Sequence, residues 1–225
     1  MNESTDALSA RKPAALVFDL DGVIIRSTLP KHRTMLSLFP TSAEAELSEM
    51  LLSLGGVPRR EKLELAFNVS HGRQPTEAEL AELLRCYAHR LEQVLAQPES
   101  MPGLACFVRR AAGPKFVCSA APAAEVKAQL ARLDLTQYFQ RIYASQSDKA
   151  LALRDIQLQR PELRVLFFGD APQDLAAAKV AGVGFVAVVG ERDAFPGQAI
   201  PKLQDFSDER LVERCMLKAL HGMGA

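Results

Sequence analysis

An apolar run, Ala14-Ala15-Leu16-Val17-Phe18, stops abruptly at Asp19-Leu20-Asp21-Gly22. Its residues carry no helical period and no alternating polar face, so the segment reads as a strand buried on both sides, as in a parallel sheet. Such a strand demands layers above and below it. Four further runs read as strands, at 115–119, 141–145, 165–169 and 184–189, and helical patterns at 122–133, 149–158 and 172–181 fill the gaps between them. Pro172 suits the first turn of a helix, and Gly182 suits its stop. This alternation predicts an α/β fold: a doubly wound parallel sheet with helices on both faces.

One gap breaks the rhythm. More than ninety residues separate the first strand from the second, and most of them read as helix. Thr41 and Glu44 have capping-box spacing before an apolar face of Leu47, Met50, Leu51 and Leu54. Thr76 and Glu79 repeat the spacing before Leu80, Leu83, Leu84, Tyr87, Leu91, Val94 and Leu95. A shorter helix is expected over 58–69. Residues 27–98 therefore read as an inserted α-helical domain, and 1–26 with 99–225 as the α/β domain that carries it. Met101-Pro102-Gly103 marks the return to the sheet, and 208–220 reads as a last amphipathic helix.

Charge narrows the partners. The 27 basic and 27 acidic side chains cancel, so no global field recruits nucleic acid or an anionic membrane surface. No apolar run approaches the roughly 18 residues that cross a bilayer, and the opening MNESTDALSARKP has no apolar stretch of signal-peptide type. Cys86, Cys106, Cys118 and Cys215 form no CxxC pair and read as small buried hydrophobes in a reducing compartment. A cytoplasmic protein, monomeric or homodimeric, is expected.

In an open parallel sheet, ligands bind beyond the carboxyl ends of the strands. There the sequence places Asp19 and Asp21, then Ser119, then Lys149, then Asp170 and Asp174. Singly, each has an ordinary explanation: Asp-x-Asp-Gly as a turn, Ser119 as a satisfied hydroxyl, Lys149 as a solvated cation, Asp174 as a first-turn helix acid. Four coincidences at one sheet edge are harder to dismiss, and together they suit phosphoryl chemistry. A carboxylate, Asp19, can attack phosphorus and hold the phosphoryl group covalently. Mg²⁺ on Asp19, Asp170 and Asp174 can offset the repulsion between anions. Ser119 can donate to a phosphoryl oxygen, and Lys149 can stabilise charge in the transition state. Asp21, two residues on, can protonate the leaving alcohol and then activate water. Gly22 allows a sharp turn there.

The string Val17-Phe18-Asp19-Leu20-Asp21-Gly22-Val23, with Ser119, Lys149 and Gly169-Asp170…Asp174, resembles the haloacid dehalogenase-like superfamily over almost the whole chain. The resemblance implies a Rossmann-like core, a helical C1 cap at 27–98, Mg²⁺ dependence and an aspartyl-phosphate intermediate. It assigns nucleophile to Asp19, acid/base to Asp21, and phosphate binding to Ser119 and Lys149. It assigns the metal to Asp19, Asp170, Asp174 and the Asp21 carbonyl. True dehalogenases need no proton donor for a halide, so Asp21 favours phosphoryl transfer. Two departures stand out: Ala150-Leu151-Ala152-Leu153 follows Lys149 without the proline found there in many members, and Arg26 stands where an acid is common.

The stretch Gly55-Gly56-Val57-Pro58-Arg59-Arg60-Glu61-Lys62 looks like the cap specificity loop of β-phosphoglucomutase-like members. That likeness makes Arg59, and more weakly Lys62, candidate contacts to a second anionic group on the substrate. Two first-turn arginines are otherwise a solvated surface, although the helix dipole disfavours cations there. The four histidines have no metal-ligand spacing. The leading expectation is a Mg²⁺-dependent phosphatase acting on a small phosphorylated metabolite, such as a sugar phosphate. The alternatives are a phosphomutase with the same intermediate, a phospho-relay receiver (disfavoured by the long insertion), and an inactive scaffold with the same fold.

Overall fold

The computed structural model describes residues 14–55, 57–145 and 148–222; the readings of the opening segment 1–13 and of Gly56 lie outside the described residues. Six strands form one sheet: β1 (Ala14–Phe18), β2 (Lys115–Cys118), β3 (Arg141–Tyr143), β4 (Arg164–Gly169), β5 (Gly184–Val188) and β6 (Lys202–Leu203). Their order is β3-β2-β1-β4-β5-β6, and each neighbouring pair is parallel. β1 lies between β2 and β4, so the strand order reverses there and opens a crevice at its carboxyl end. β6 is absent from the sequence expectation because two residues show no alternation; its pairing with β5, Ala187 to Lys202 and Val188 to Leu203, defines it.

β1 shows why its residues read as doubly buried. Leu16 and Phe18 join a cluster with Leu104 and Val108 of α5 (Leu104–Arg110), Val126 and Leu130 of α6 (Ala123–Arg132), and Val212 of α9 (Glu209–His221). Ala15 and Val17, pointing the other way, pack with Leu153 and Ile156 of α7 (Lys149–Gln159) and with Leu175 and Ala178 of α8 (Pro172–Ala181). Strand alternation thus feeds two cores from one segment, and each fully buried Leu, Val or Phe contributes about 1.5–3 kcal/mol.

Between β1 and β2 run α1 (Thr28–Leu36), α2 (Glu44–Ser53), α3 (Arg59–His71) and α4 (Glu77–Val94). They share a third cluster that includes Met35, Leu47, Leu63, Phe67, Leu80, Tyr87 and Leu91. The chain leaves and re-enters the sheet layer at adjacent points. Arg26 N–H donates to the Glu99 carbonyl (2.8 Å), Met101 N–H to the Ile24 carbonyl (3.0 Å), and the Arg26 guanidinium pairs with the Glu99 carboxylate (2.8 Å).

Two local expectations need correction. Thr41 and Glu44 make no capping box: Thr41–Ala43 form a separate 3₁₀ turn, and α2 starts at Glu44 with Ala43 at its N-cap. Extended Pro40 starts that turn and the N-cap falls two residues on, at Ala43, so Glu44 is a first-turn acid instead. The Thr76 box forms: Thr76 N–H donates to Glu79 (2.8 Å), and Glu79 N–H to Thr76 Oγ1 (3.3 Å). Of the cysteines only Cys118 and Cys215 are buried; Cys106 is exposed on α5, Cys86 is half-buried on α4, and all four are free. Among the described residues, no helix is long and apolar enough to cross a membrane.

Candidate active site

β1 delivers Asp19 to the crevice. Asp19 N–H continues the strand ladder by donating to the Phe168 carbonyl (2.9 Å). The next N–H, of Leu20, donates to Asp19 Oδ1 (2.7 Å) and fixes the carboxylate. The backbone then reverses through Gly22 at φ +71°, where a Cβ would lie 2.2 Å from Asp170 Oδ2. Both the left-handed conformation and that close approach require glycine. β4 delivers Asp170, and Thr28 Oγ1 donates to Asp170 Oδ2 (2.9 Å). Asp174, in the first turn of α8, is fully buried. Its Oδ2 accepts from Ala171 N–H (3.1 Å), capping that helix, while its Oδ1 accepts from Lys149 (2.6 Å).

Lys149, the first residue of α7, bridges two of these acids, its ammonium also lying 2.8 Å from Asp19 Oδ2. Ser119 closes β2: its N–H donates to the Tyr143 carbonyl (2.8 Å), and its Oγ accepts from Ala121 N–H (3.1 Å). Among the described residues its hydroxyl proton has no acceptor.

A cavity of about 140 Å³ joins Asp19, Asp21, Ser119, Lys149 and Asp170 with Arg59 and Lys62 from the inserted helices. Asp174 lies beneath it. The sequence-predicted residues thus converge, but they are not equivalent. Asp21 stands apart from the other three acids: Ser27 Oγ donates to its Oδ1, and Lys31 of α1 lies 2.7 Å from its carboxylate. Arg59 is already engaged, 2.6 Å from Glu125 of α6 and stacked over the Tyr87 ring at 4.6 Å. Arg60 pairs on the surface with Glu77 and Glu64. Lys62 reaches the same cavity without a side-chain hydrogen bond or ion pair among the described residues.

The acids differ electrostatically as well. Burial, together with Asp174 and Asp21, outweighs Lys149 and raises Asp19 to about 7. Burial and the charge of Asp19 push Asp170 well above the usual carboxylate range. Asp21 goes the other way: burial alone would raise it, but Lys31 and Ser27 hold it below its usual value. Burial would depress Lys149, yet Asp174 and Asp19 raise it strongly. Lys62 is lowered by burial, only partly offset by Asp21 and Asp170.

Single carboxylate oxygens of Asp19, Asp170 and Asp174 lie within 4.8 Å of one another. An all-oxygen donor set whose buried charges are under-compensated by one lysine suits a hard divalent cation such as Mg²⁺. Asp19 and Asp174 each engage both oxygens, and among the described residues only Asp170 Oδ1 has no hydrogen-bond partner.

Sequence reasoning missed Ser27, Thr28 and Lys31, which arrange Asp21 and Asp170, and also Glu125 and Glu191. Glu191 accepts from Thr28 N–H (3.0 Å) at the start of α1. A signal existed for the first three, since they follow the Asp-x-Asp-Gly segment at helical spacing. None existed for the two glutamates, which come from distant segments.

A doubly wound parallel sheet with a carboxylate cluster at its switch point, roofed by helices, defines an α/β enzyme that works at its strand ends. The chain belongs to the haloacid dehalogenase-like hydrolase family, whose model matches residues 13–182. Solved structures share its fold at low identity. A predicted phosphoglycolate phosphatase from Haemophilus somnus 129PT is 17% identical, covering 91% of this chain and 99% of its own, with a TM-score of 0.70. CbbY from Rhodobacter sphaeroides, solved with phosphate, is 19% identical over 88% and 96% (TM-score 0.65). A candidate β-phosphoglucomutase from Thermotoga maritima is 18% identical over 89% and 99% (TM-score 0.62). No curated protein sequence matches the chain significantly.

Proposed function

We propose that this protein is a Mg²⁺-dependent phosphatase that hydrolyses a small phosphorylated metabolite through an aspartyl-phosphate. The observation that carries this reading is the placement of Asp19. Its carboxylate is held by Leu20 N–H and Lys149 at the floor of a cavity that also contains Asp21, Ser119 and Asp170. An Asp19 oxygen attacks phosphorus and the bond to the leaving oxygen breaks; Asp21, which takes up a proton when the anionic phosphate ester enters beside it, delivers that proton to the departing alcohol. Water then attacks the aspartyl-phosphate, Asp21 takes its proton, and phosphate leaves with Asp19 restored. Ser119 and Lys149 donate to the phosphoryl oxygens throughout. Asp19 and Asp170, backed by Asp174 and the Asp21 carbonyl, would hold Mg²⁺, which offsets anionic charge and polarises the phosphoryl group when bound.

Residues 27–98 act as a cap over a core made of 1–26 and 99–225. A cavity of about 140 Å³ is close to the ~150 Å³ that accommodates benzene, which favours a compact leaving group. Within the cap Lys62, rather than the already paired Arg59, is the cation left to meet a second anionic group. A phosphomutase is the second reading, favoured by the fold shared with a candidate β-phosphoglucomutase; it differs in that a bound alcohol replaces water.

The test is Mg²⁺-dependent phosphate release from p-nitrophenyl phosphate and a panel of small phosphate esters. Asp19→Asn should remove at least about 10³-fold of the turnover while leaving the fold intact. Retained turnover would exclude the nucleophile role, and a requirement for a bisphosphate activator would select the mutase.

A further inference from the structure

The cavity above the strand ends has a wall that takes no part in the steps above. Met35 of α1, Leu51 and Leu52 of α2, Val57 ahead of α3 and Tyr87 of α4 line it from the helical insertion. Four of these side chains are hydrocarbon or thioether, and the Tyr87 hydroxyl is spent on the Lys31 carbonyl (3.5 Å). The polar groups that the insertion brings to the same cavity are engaged as well. His32 Nε2 meets Ser48 Oγ (3.0 Å), Thr28 Oγ1 donates to Asp170 (2.9 Å), and Lys31 and Arg59 pair with Glu125 (2.5 and 2.6 Å). Of this set, Lys62 alone has no side-chain partner among the described residues. A substrate hydroxyl at this wall therefore meets carbon, or competes with a partner already in place.

We propose that the leaving group taken here is a short hydrocarbon chain whose only hydroxyl is the one esterified to phosphate, with one anionic end for Lys62. This rests on the phosphatase reading and names its substrate class. Burying a hydroxyl without a hydrogen bond is unfavourable, whereas each CH₂ laid against the wall leaves water favourably. A pocket that is apolar apart from one convergent cation orients a ligand by that cation and by shape. Met35, Leu51, Leu52, Val57 and Tyr87 are thus specificity-determining residues, and polyhydroxylated esters such as sugar phosphates are poor substrates.

The experiment compares 3-(phosphonooxy)propanoate with its 2-hydroxy derivative, both with Mg²⁺. The two esters share chain length, carboxylate and phosphate, and differ by one hydroxyl beside the leaving carbon. That hydroxyl makes the alkoxide a better leaving group, so reactivity alone favours the hydroxylated ester. The unmodified protein should instead show a kcat/KM at least about tenfold higher for the ester without it. Val57→Thr exchanges one methyl of the wall for a hydroxyl, at a residue outside the three apolar clusters. It should lower the ratio at least about threefold, through a gain on the hydroxylated ester. A ratio below about threefold in the unmodified protein would overturn the proposal, as would an unchanged or higher ratio in Val57→Thr. Phosphate release from p-nitrophenyl phosphate without the preference between the two acids would overturn this substrate class only. Release from none of the three esters would overturn the phosphatase reading and this class with it.

Discussion

Two cations separated by three positions on α3 have opposite circumstances. Arg59 is saturated by Glu125 and Tyr87. Lys62 has no side-chain partner among the described residues and is depressed by burial. A half-buried ammonium whose burial Asp21 and Asp170 offset only in part is stabilised further when an anion arrives. Lys62→Met should therefore raise KM about tenfold for a substrate with a second carboxylate or phosphate, while changing KM for p-nitrophenyl phosphate less than about threefold. Equal changes in the two KM values would remove the role. The likeness of the 55–62 stretch to a cap specificity loop ranked Arg59 above Lys62, whereas Arg59 is the one already engaged, by Glu125 and Tyr87. That reversal depends on Glu125 and Tyr87, 66 and 28 residues further along the chain, and pairings at that separation leave no local pattern.

At the scale of elements, the same four-residue spacing has two outcomes. Thr76 and Glu79 exchange bonds at the start of α4, whereas Thr41 and Glu44 do not, because Pro40 opens a 3₁₀ turn first. Thr76→Ala should cost about 1 kcal/mol and lower Tm by roughly 2–4 °C in a chain of this size, whereas Thr41→Ala should be nearly neutral. Thermal melts of the two variants measure the difference, and kcat/KM should hold in both. The strands and helices around the sheet were legible because β1 and β5 are buried and apolar throughout, and β2 and β4 are so beyond their first residues, Lys115 and Arg164. β3 and β6 are short edge strands of the sheet, and β6 shows no periodicity of its own.

Taken as a whole, the molecule gathers anionic charge in a protein whose formal charge is zero. Asp19 at about 7 and a strongly raised Asp170 bind protons more tightly folded than unfolded, where a carboxyl sits near 3.8. Between those values the native state holds more protons, so these groups make stability fall as pH rises toward and through 7. The metal-free protein should accordingly melt at a higher temperature at pH 5.5 than at pH 8. Added Mg²⁺ should raise Tm more at pH 8, where the carboxylates are ionised and available. A Tm gain from Mg²⁺ independent of pH would count against these acids as its ligands. The paired crossings at Ile24–Arg26 and Glu99–Met101 have a different consequence. Because the helical segment departs and returns at neighbouring points, its removal or exchange leaves the threading of every strand untouched. The insertion is thus a cassette. One roof can be exchanged for another, by evolution or by an engineer, while the carboxylate floor at the strand ends keeps its strands and its threading.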